Sequence, residues 1–120
     1  MISAFNVTNS RNHRFEKSEK EMNKKEYFLI GEAAKRLGIH DQTIRMYERK
    51  ELIKIHRSKN NTRLFNQSDI TKIQIIITLT QEIGMNLSGV KIVLALARKL
   101  RMEDDEFLDF IYDHKNEFQV

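Results

Sequence analysis

The 120 residues contain no cysteine, no proline and no tryptophan, and only four glycines. Without cysteine there is no disulfide scaffold, no thiolate metal site and no cysteine-based redox sensing. Without proline, the ends of helices and strands fall to glycine, asparagine and capping side chains. Long apolar runs are missing too. Short runs such as Ile75 to Ile77 cannot span a membrane, and the amino terminus lacks an apolar core of signal-peptide length. A soluble, unexported, cytoplasmic protein is the expectation. The histidines, His13, His40, His56 and His114, show no paired metal spacing, and no Gly-rich phosphate loop or nucleophile motif is present. His40 beside Asp41 has the makings of a general-base pair, yet a polar pair at a helix start explains both more simply. The acids Glu103 to Glu106 read as a solvated helix terminus rather than a cation site. Neither an enzyme nor a cofactor is expected.

What the chain does have is cationic charge, unevenly spread. Residues 1–26 carry six Lys or Arg against four acids, residues 27–66 nine against four, residues 67–100 four against two, and residues 101–120 two against seven. The positive excess lies on the segment from residue 27 to 66, as a nucleic-acid footprint requires. The length suits one small core with tails. Residues 1–26, rich in Asn, Ser, Lys and Glu without a sustained period, read as a disordered arm.

Within the basic segment, Ile30, Ala33, Ala34 and Leu37 form an apolar stripe at helical period, with Gly31 as a permissive N-cap. Gly38 stands where a closing residue must take positive φ, and His40 with Asp41 starts a second helix with an acid in its first turn. Two helices joined by a three-residue turn make a helix-turn-helix. At 100° per residue the second helix places Ile44, Tyr47, Glu48 and Glu51 inward and Gln42, Arg45, Met46 and Arg49 outward. An outward amide beside two guanidiniums suits a major groove, since Gln pairs with adenine edges and Arg with guanine. In isolation such a face is more often simply solvated. The following residues change that balance. Ile53 and Ile55 alternate with Lys54 and His56, the chain turns through Ser58, Lys59, Asn60 and Asn61, and Leu64 and Phe65 lie on the return strand. Lys54, Arg57, Lys59 and Arg63 flank this hairpin with no acid between Leu52 and Ser68. A charged hairpin alone is usually edge protection. Beside the helix pair it becomes a wing whose cations clamp phosphate, or whose Arg57 or Arg63 enters a narrow minor groove.

The run YFLIGEAAKRLGIHDQTIRMYERKELI, continued in register by NNTRLFNQSDITKIQIIITLTQEIGMNLSGVKIVL, resembles the MerR family of bacterial transcription regulators over about residues 27 to 97. His40, Gln42, Thr43, Arg45, Tyr47, Glu48 and Arg49, with Asn86, Leu87 and Gly89, are most similar to its heat-shock repressor branch. The resemblance implies a mainly α fold: a winged helix-turn-helix with a small β-hairpin wing, a second helix pair and a short C-terminal helix. It further implies that the helix holding Gln42, Thr43, Arg45, Tyr47 and Arg49 enters the major groove while Arg57, Lys59 and Arg63 of the wing grip the backbone. Three positions depart from the family pattern. Glu51 stands at a usual glycine, Ile55 at a frequent proline and Met46 at a common tyrosine. Glu51 would be strained in left-handed φ, so the turn into the wing is expected to differ in shape.

Beyond the wing, Ser68 or Asp69 is the expected cap of a helix carrying Ile70, Ile73, Ile76, Ile77, Thr80 and Ile83, which Gly84 stops. Asn86 restarts the chain, and Leu87, Val90, Val93, Leu94 and Ala97 form the next stripe. The expected organisation is therefore an arm (1–26), a DNA-binding domain (27–99) and a short acidic helix or tail (100–120). In the last, Phe107, Phe110, Ile111 and Phe118 edge two or three helical turns, folding onto the core or meeting a partner. Family members continue into a long dimerising helix and an effector domain. With only Leu100 to Val120 remaining, a weak or DNA-assisted homodimer and no small-molecule pocket are expected. The overall expectation is a repressor of heat-shock or chaperone genes that binds an inverted-repeat operator in double-stranded DNA, with an Hsp70-type chaperone as co-repressor. Two other readings stand beside it: a truncated protein-interaction module, and a MerR-type regulator of another regulon, such as nitrogen or stress.

Overall fold

A computed structural model describes residues 26–119, so the expected amino-terminal arm, apart from Glu26, lies outside the described residues. Five helices and one two-stranded hairpin follow in order: α1 (Ile30–Leu37), α2 (Asp41–Arg49), β1 (His56–Arg57), β2 (Arg63–Leu64), α3 (Gln67–Ile77), α4 (Leu87–Lys99) and α5 (Asp104–Phe118). This is the mainly α, winged helix-turn-helix arrangement expected from the sequence.

Helix α1 buries Ala33 and Ala34 against α2, which returns Ile44 and Tyr47 to the same core. Its N-cap is Leu29 rather than Gly31, which lies inside the first turn. The correction has a backbone cause. Phe28 pairs with Phe65 through two short hydrogen bonds of 2.7 and 2.8 Å, fixing the chain at Phe28 so that the Leu29 carbonyl accepts the first helical bond, from Ala33. Gly38 closes α1 at φ 70°, as a helix end that needs left-handed backbone requires. At the far end of α2, Glu51 adopts the same conformation at φ 62°, with the Leu52 N–H bonded to the Tyr47 carbonyl. Glu51 is therefore exposed rather than inward, and it takes the left-handed φ that would strain it. The left-handed closure is made here with a Cβ in it.

Ile53 and Ile55 are buried and Lys54 and His56 exposed, so the alternation is present, although paired strand spans only His56↔Leu64 and Arg57↔Arg63. The hairpin turns through Ser58 to Asn61, with Asn61 at φ 65° and its N–H on the Ser58 carbonyl at 2.9 Å.

Helix α3 starts at a capping box built by Asn66, not Ser68 or Asp69. The Asn66 side chain accepts from the Asp69 N–H at 2.8 Å, and the Asp69 carboxylate accepts from the Asn66 N–H at 2.9 Å. Asp69 is thus the third helical residue, completing the box. Thr78–Glu82 continue α3 as a widened π turn, with Ile83 N–H bonded to the Thr78 carbonyl. Thr78 and Leu79 of this turn are buried in the core beside Ile73, Ile75, Ile76 and Ile77 of the preceding helix. Gly84, at φ 88°, ends the run, and Asn86 caps α4 through the Gly89 N–H.

Helix α5 has 15 residues, longer than the two or three turns expected. Glu103 and Glu106 form a capping box, and the acids Asp104, Asp105 and Glu106 sit at its positive end. Lys72 of α3 meets Asp104 at 2.8 Å, and Glu82 meets Lys115 at 3.0 Å, so α5 runs parallel to α3 with ion pairs at both ends. Phe107 and Ile111 are buried in the common core.

Candidate nucleic-acid interface

Helix α2 carries the outward set. Gln42 and Arg49 are exposed, Thr43 and Arg45 half-buried, and Met46 leans partly onto the core instead of facing outward. Arg45 Nη1 lies 3.3 Å from Asp41 Oδ2, one helical turn earlier. An exposed pair at this spacing contributes only about 0.3–0.5 kcal/mol, so Asp41 parks the guanidinium without holding it. Tyr47 is 2% exposed and packs in the core. Its ring sits on the inward side that the helical count gives it, where it seats the helix.

The wing's arginines converge on the same helix. Arg63 donates from Nε to Glu48 Oε1 at 2.7 Å, and Arg57 Nη2 lies 3.2 Å from each Glu48 oxygen. Arg57 Nη1 also donates to the Asn61 carbonyl at 3.2 Å, tying the same side chain to the hairpin tip. Burial is the largest influence on the Glu48 carboxyl and pushes its pKa up. The hydrogen bonds and charges of Arg63 and Arg57 together outweigh it, and the net direction is below the ordinary value. One carboxylate thus holds two guanidiniums and leaves the cluster with one net positive charge. Lys59 at the hairpin turn and Lys54 before it are exposed.

Of the residues singled out from the sequence, Gln42, Thr43, Arg45 and Arg49 share α2, and Arg57 and Arg63 join them through Glu48; Lys59 stands at the wing tip and Tyr47 lies beneath. Glu48 is the residue sequence reasoning undervalued. The helical count places it inward, but its partners lie nine and 15 positions on. The available signal was an acid beside Arg49 at the end of the reading helix, followed by two arginines on an acid-free hairpin.

Behind the wing, Tyr27 stacks on His56 with ring centroids 5.9 Å apart, and the Arg36 guanidinium lies 3.9 Å from the Phe28 ring centroid. Asp69 is buried enough that its carboxyl pKa is raised, although the Asn66 N–H, Lys72 and His56 all pull it down. Among the described residues no group of three His, Asp or Glu side chains could hold a metal ion, and no helix is long and apolar enough to cross a membrane.

A helix pair with a tight glycine turn, a two-stranded wing tied to the second helix and a further helix pair behind it define a winged helix-turn-helix protein. The family model for the MerR HTH family of regulatory proteins matches residues 28–97, and the chain belongs to that family, whose members are transcription regulators rather than enzymes. Among curated proteins it is 32% identical over 73 residues to the putative heat shock protein HspR of Streptomyces coelicolor, covering 61% of this chain and 48% of the relative. It is 27% identical to the HTH-type transcriptional regulator YfmP of Bacillus subtilis, covering 69% and 60%, and 30% identical to the mercuric resistance operon regulatory protein of Bacillus cereus, covering 69% and 63%. The chain therefore spans less than two thirds of each of these relatives. Among solved structures, HiNmlR, a MerR family regulator lacking the sensor domain and bound to promoter DNA, superposes with a TM-score of 0.60 at 21% identity, over 78% of this chain and 70% of that one. That likeness concerns the fold.

Proposed function

We propose that this protein represses heat-shock or chaperone genes by binding an inverted-repeat operator, each copy covering one half-site with α2 in the major groove and the wing on the adjoining backbone. Gln42, Arg45 and Arg49 read base edges, Thr43 contributes beside them, Tyr47 seats the helix, and Arg57, Lys59 and Arg63 meet phosphate. Two copies on the operator make a weak or DNA-assisted homodimer, an Hsp70-type chaperone acts as co-repressor, and the work is done on the cytoplasmic nucleoid. The observation that carries the reading is the convergence on Glu48: the wing's two arginines are fastened to the helix that presents Gln42, Arg45 and Arg49. The heat-shock relative in Streptomyces coelicolor supports the choice of regulon.

The test is an electrophoretic mobility shift with a duplex from upstream of a chaperone gene, against a scrambled duplex, with and without the chaperone. A cognate complex of two protein copies per inverted repeat, tightened by the chaperone, is expected. Binding only to a different stress or nitrogen promoter would move the protein to another regulon. A protein-interaction module that modulates another regulator is favoured by one observation, the exposed Ile92 and Leu96 of α4 with Leu100 just beyond it, and equal weak affinity for cognate and scrambled duplex would support it.

A further inference from the structure

Glu48 is an anion on a surface proposed to meet a polyanion, which by charge alone opposes binding. It nevertheless occupies the junction of helix and wing at a side-chain exposure of 20%, beneath arginines that are themselves 33% and 24% exposed. Its two oxygens receive three hydrogen bonds from residues on both strands of the hairpin, Arg57 on β1 and Arg63 on β2. The base of the wing is anchored by buried Ile53, Ile55 and Phe65 and by the Phe28–Phe65 pairing, but its paired strand is only two residues long on each side. A ribbon this short is marginal by itself.

We infer that Glu48 is a positioning residue for DNA recognition, setting the height and angle of the wing relative to α2 so that base reading and phosphate grip occur in one register. The inference rests on the DNA-binding reading above and deepens it. Arg63 gives only its Nε–H to the carboxylate, and its two Nη groups have no acceptor among the described residues, so they remain available to a phosphate while Nε stays fixed. Arg57 is braced from both sides, by Glu48 and by the Asn61 carbonyl, so the hairpin tip carrying Lys59 moves with it. The carboxylate costs some attraction to DNA and in exchange orders two guanidiniums before binding, sparing the complex the entropy of fixing them.

The two accounts of Glu48 predict opposite signs. In a purely electrostatic account, Glu48→Gln removes a repelling charge, tightens binding to every duplex and steepens the salt dependence. As a positioning residue, the same change weakens cognate binding by about tenfold, the scale of losing hydrogen bonds to charged groups, and brings cognate and scrambled affinities closer together. Both are read by fluorescence anisotropy with labelled duplexes at several salt concentrations, with circular dichroism reporting the fold. If Glu48→Gln does not fold, Glu48→Asp replaces it. That variant keeps the charge but retracts the carboxylate by one methylene, so the electrostatic account predicts no change and positioning predicts reduced discrimination. Unchanged or tighter cognate binding with undiminished discrimination overturns the inference, whereas a wild-type protein that fails to discriminate overturns the DNA-binding reading itself.

Discussion

At the scale of single residues, the candidate interface is governed by how tightly each guanidinium is held. Arg45 rests on Asp41 through one 3.3 Å contact on an exposed turn, and such a contact yields readily to a guanine edge. Arg45→Ala should therefore lower the ratio of cognate to scrambled affinity by about tenfold, within the roughly 1–3 kcal/mol of a bidentate base contact, as measured by competition binding. Asp41→Asn should leave that ratio nearly unchanged. If Arg45→Ala discriminates as well as wild type, its base-reading role is lost. Acid sensitivity divides between two carboxylates of opposite sign. Glu48 has a folded pKa below its ordinary 4.5, so its stabilising contribution is complete above that value and is lost as pH falls below it. Asp69 has a folded pKa above its ordinary 3.8, so its ionisation costs stability at neutral pH, and that cost disappears as pH falls through the raised value toward 3.8. Urea midpoints measured from pH 7 to pH 3 should fall less steeply on the acid side in Glu48→Gln than in wild type, and more steeply in Asp69→Asn. The sequence made the outward amide and guanidiniums visible because they share one helix and one period. It hid the grip on Arg57 and Arg63, because that contact joins residues whose proximity depends on how the hairpin folds over α2.

Elements in this chain end in an unusual way for want of glycine. Gly38 and Gly84 serve two of the left-handed positions, and Glu51, Asn61 and Arg101 serve three more. Asn tolerates that conformation; Glu and Arg meet their Cβ there. Arg101 closes α4 as Glu51 closes α2, with the Met102 N–H on the Ala97 carbonyl at 3.0 Å. Glu51→Gly should thus raise stability by about 1 kcal/mol, the cost of left-handed backbone for a residue with a Cβ less the entropy glycine adds to the unfolded chain. The exposed Lys91 contact to Glu51, at 3.7 Å, is too long to reverse the sign. Chemical denaturation checks this, and a destabilised glycine variant would mean the Glu51 side chain holds the wing entrance. The α1, α2, α3 and α4 spans were legible because apolar stripes at a 3.6-residue period leave little choice, and Gly38, Gly84 and Asn86 announce their own roles. The caps at Leu29 and Asn66 were not, since each depends on a backbone partner outside the helix or on a reciprocal pair. The π turn was hidden for a related reason: one extra residue per turn over Thr78–Glu82 shifts which later side chains face inward without altering composition.

For the molecule as a whole, the acidic end of the chain is bound to its basic half through the core, not merely by charge. Phe107 and Ile111 lie within the same cluster as Ala33, Ile44, Phe65 and Ile73, so α5 shares the hydrophobic centre that supports α1 and α2. Lys72 with Asp104 and Lys115 with Glu82 align it along α3, but exposed pairs of this kind contribute about 0–1 kcal/mol each, and the buried side chains dominate. The sequence pointed to Phe107 and Ile111 as an apolar edge and underestimated the length behind it, because the capping box at Glu103 adds a firm start that the acid count alone does not reveal. If the core is truly shared, α5 cannot melt separately from the reading head. Ile111→Ala, at a side chain 1% exposed, should lower unfolding free energy by about 2–4 kcal/mol, the range for emptying such a site. Urea titrations followed by helical circular dichroism and by tyrosine fluorescence should then shift together, since Tyr47 reports on α2 and Tyr112 on α5. Two separated transitions, with the Tyr47 environment persisting after helix is lost, would instead make α5 an independent appendage, and the charge asymmetry between reader and tail would have no structural coupling behind it.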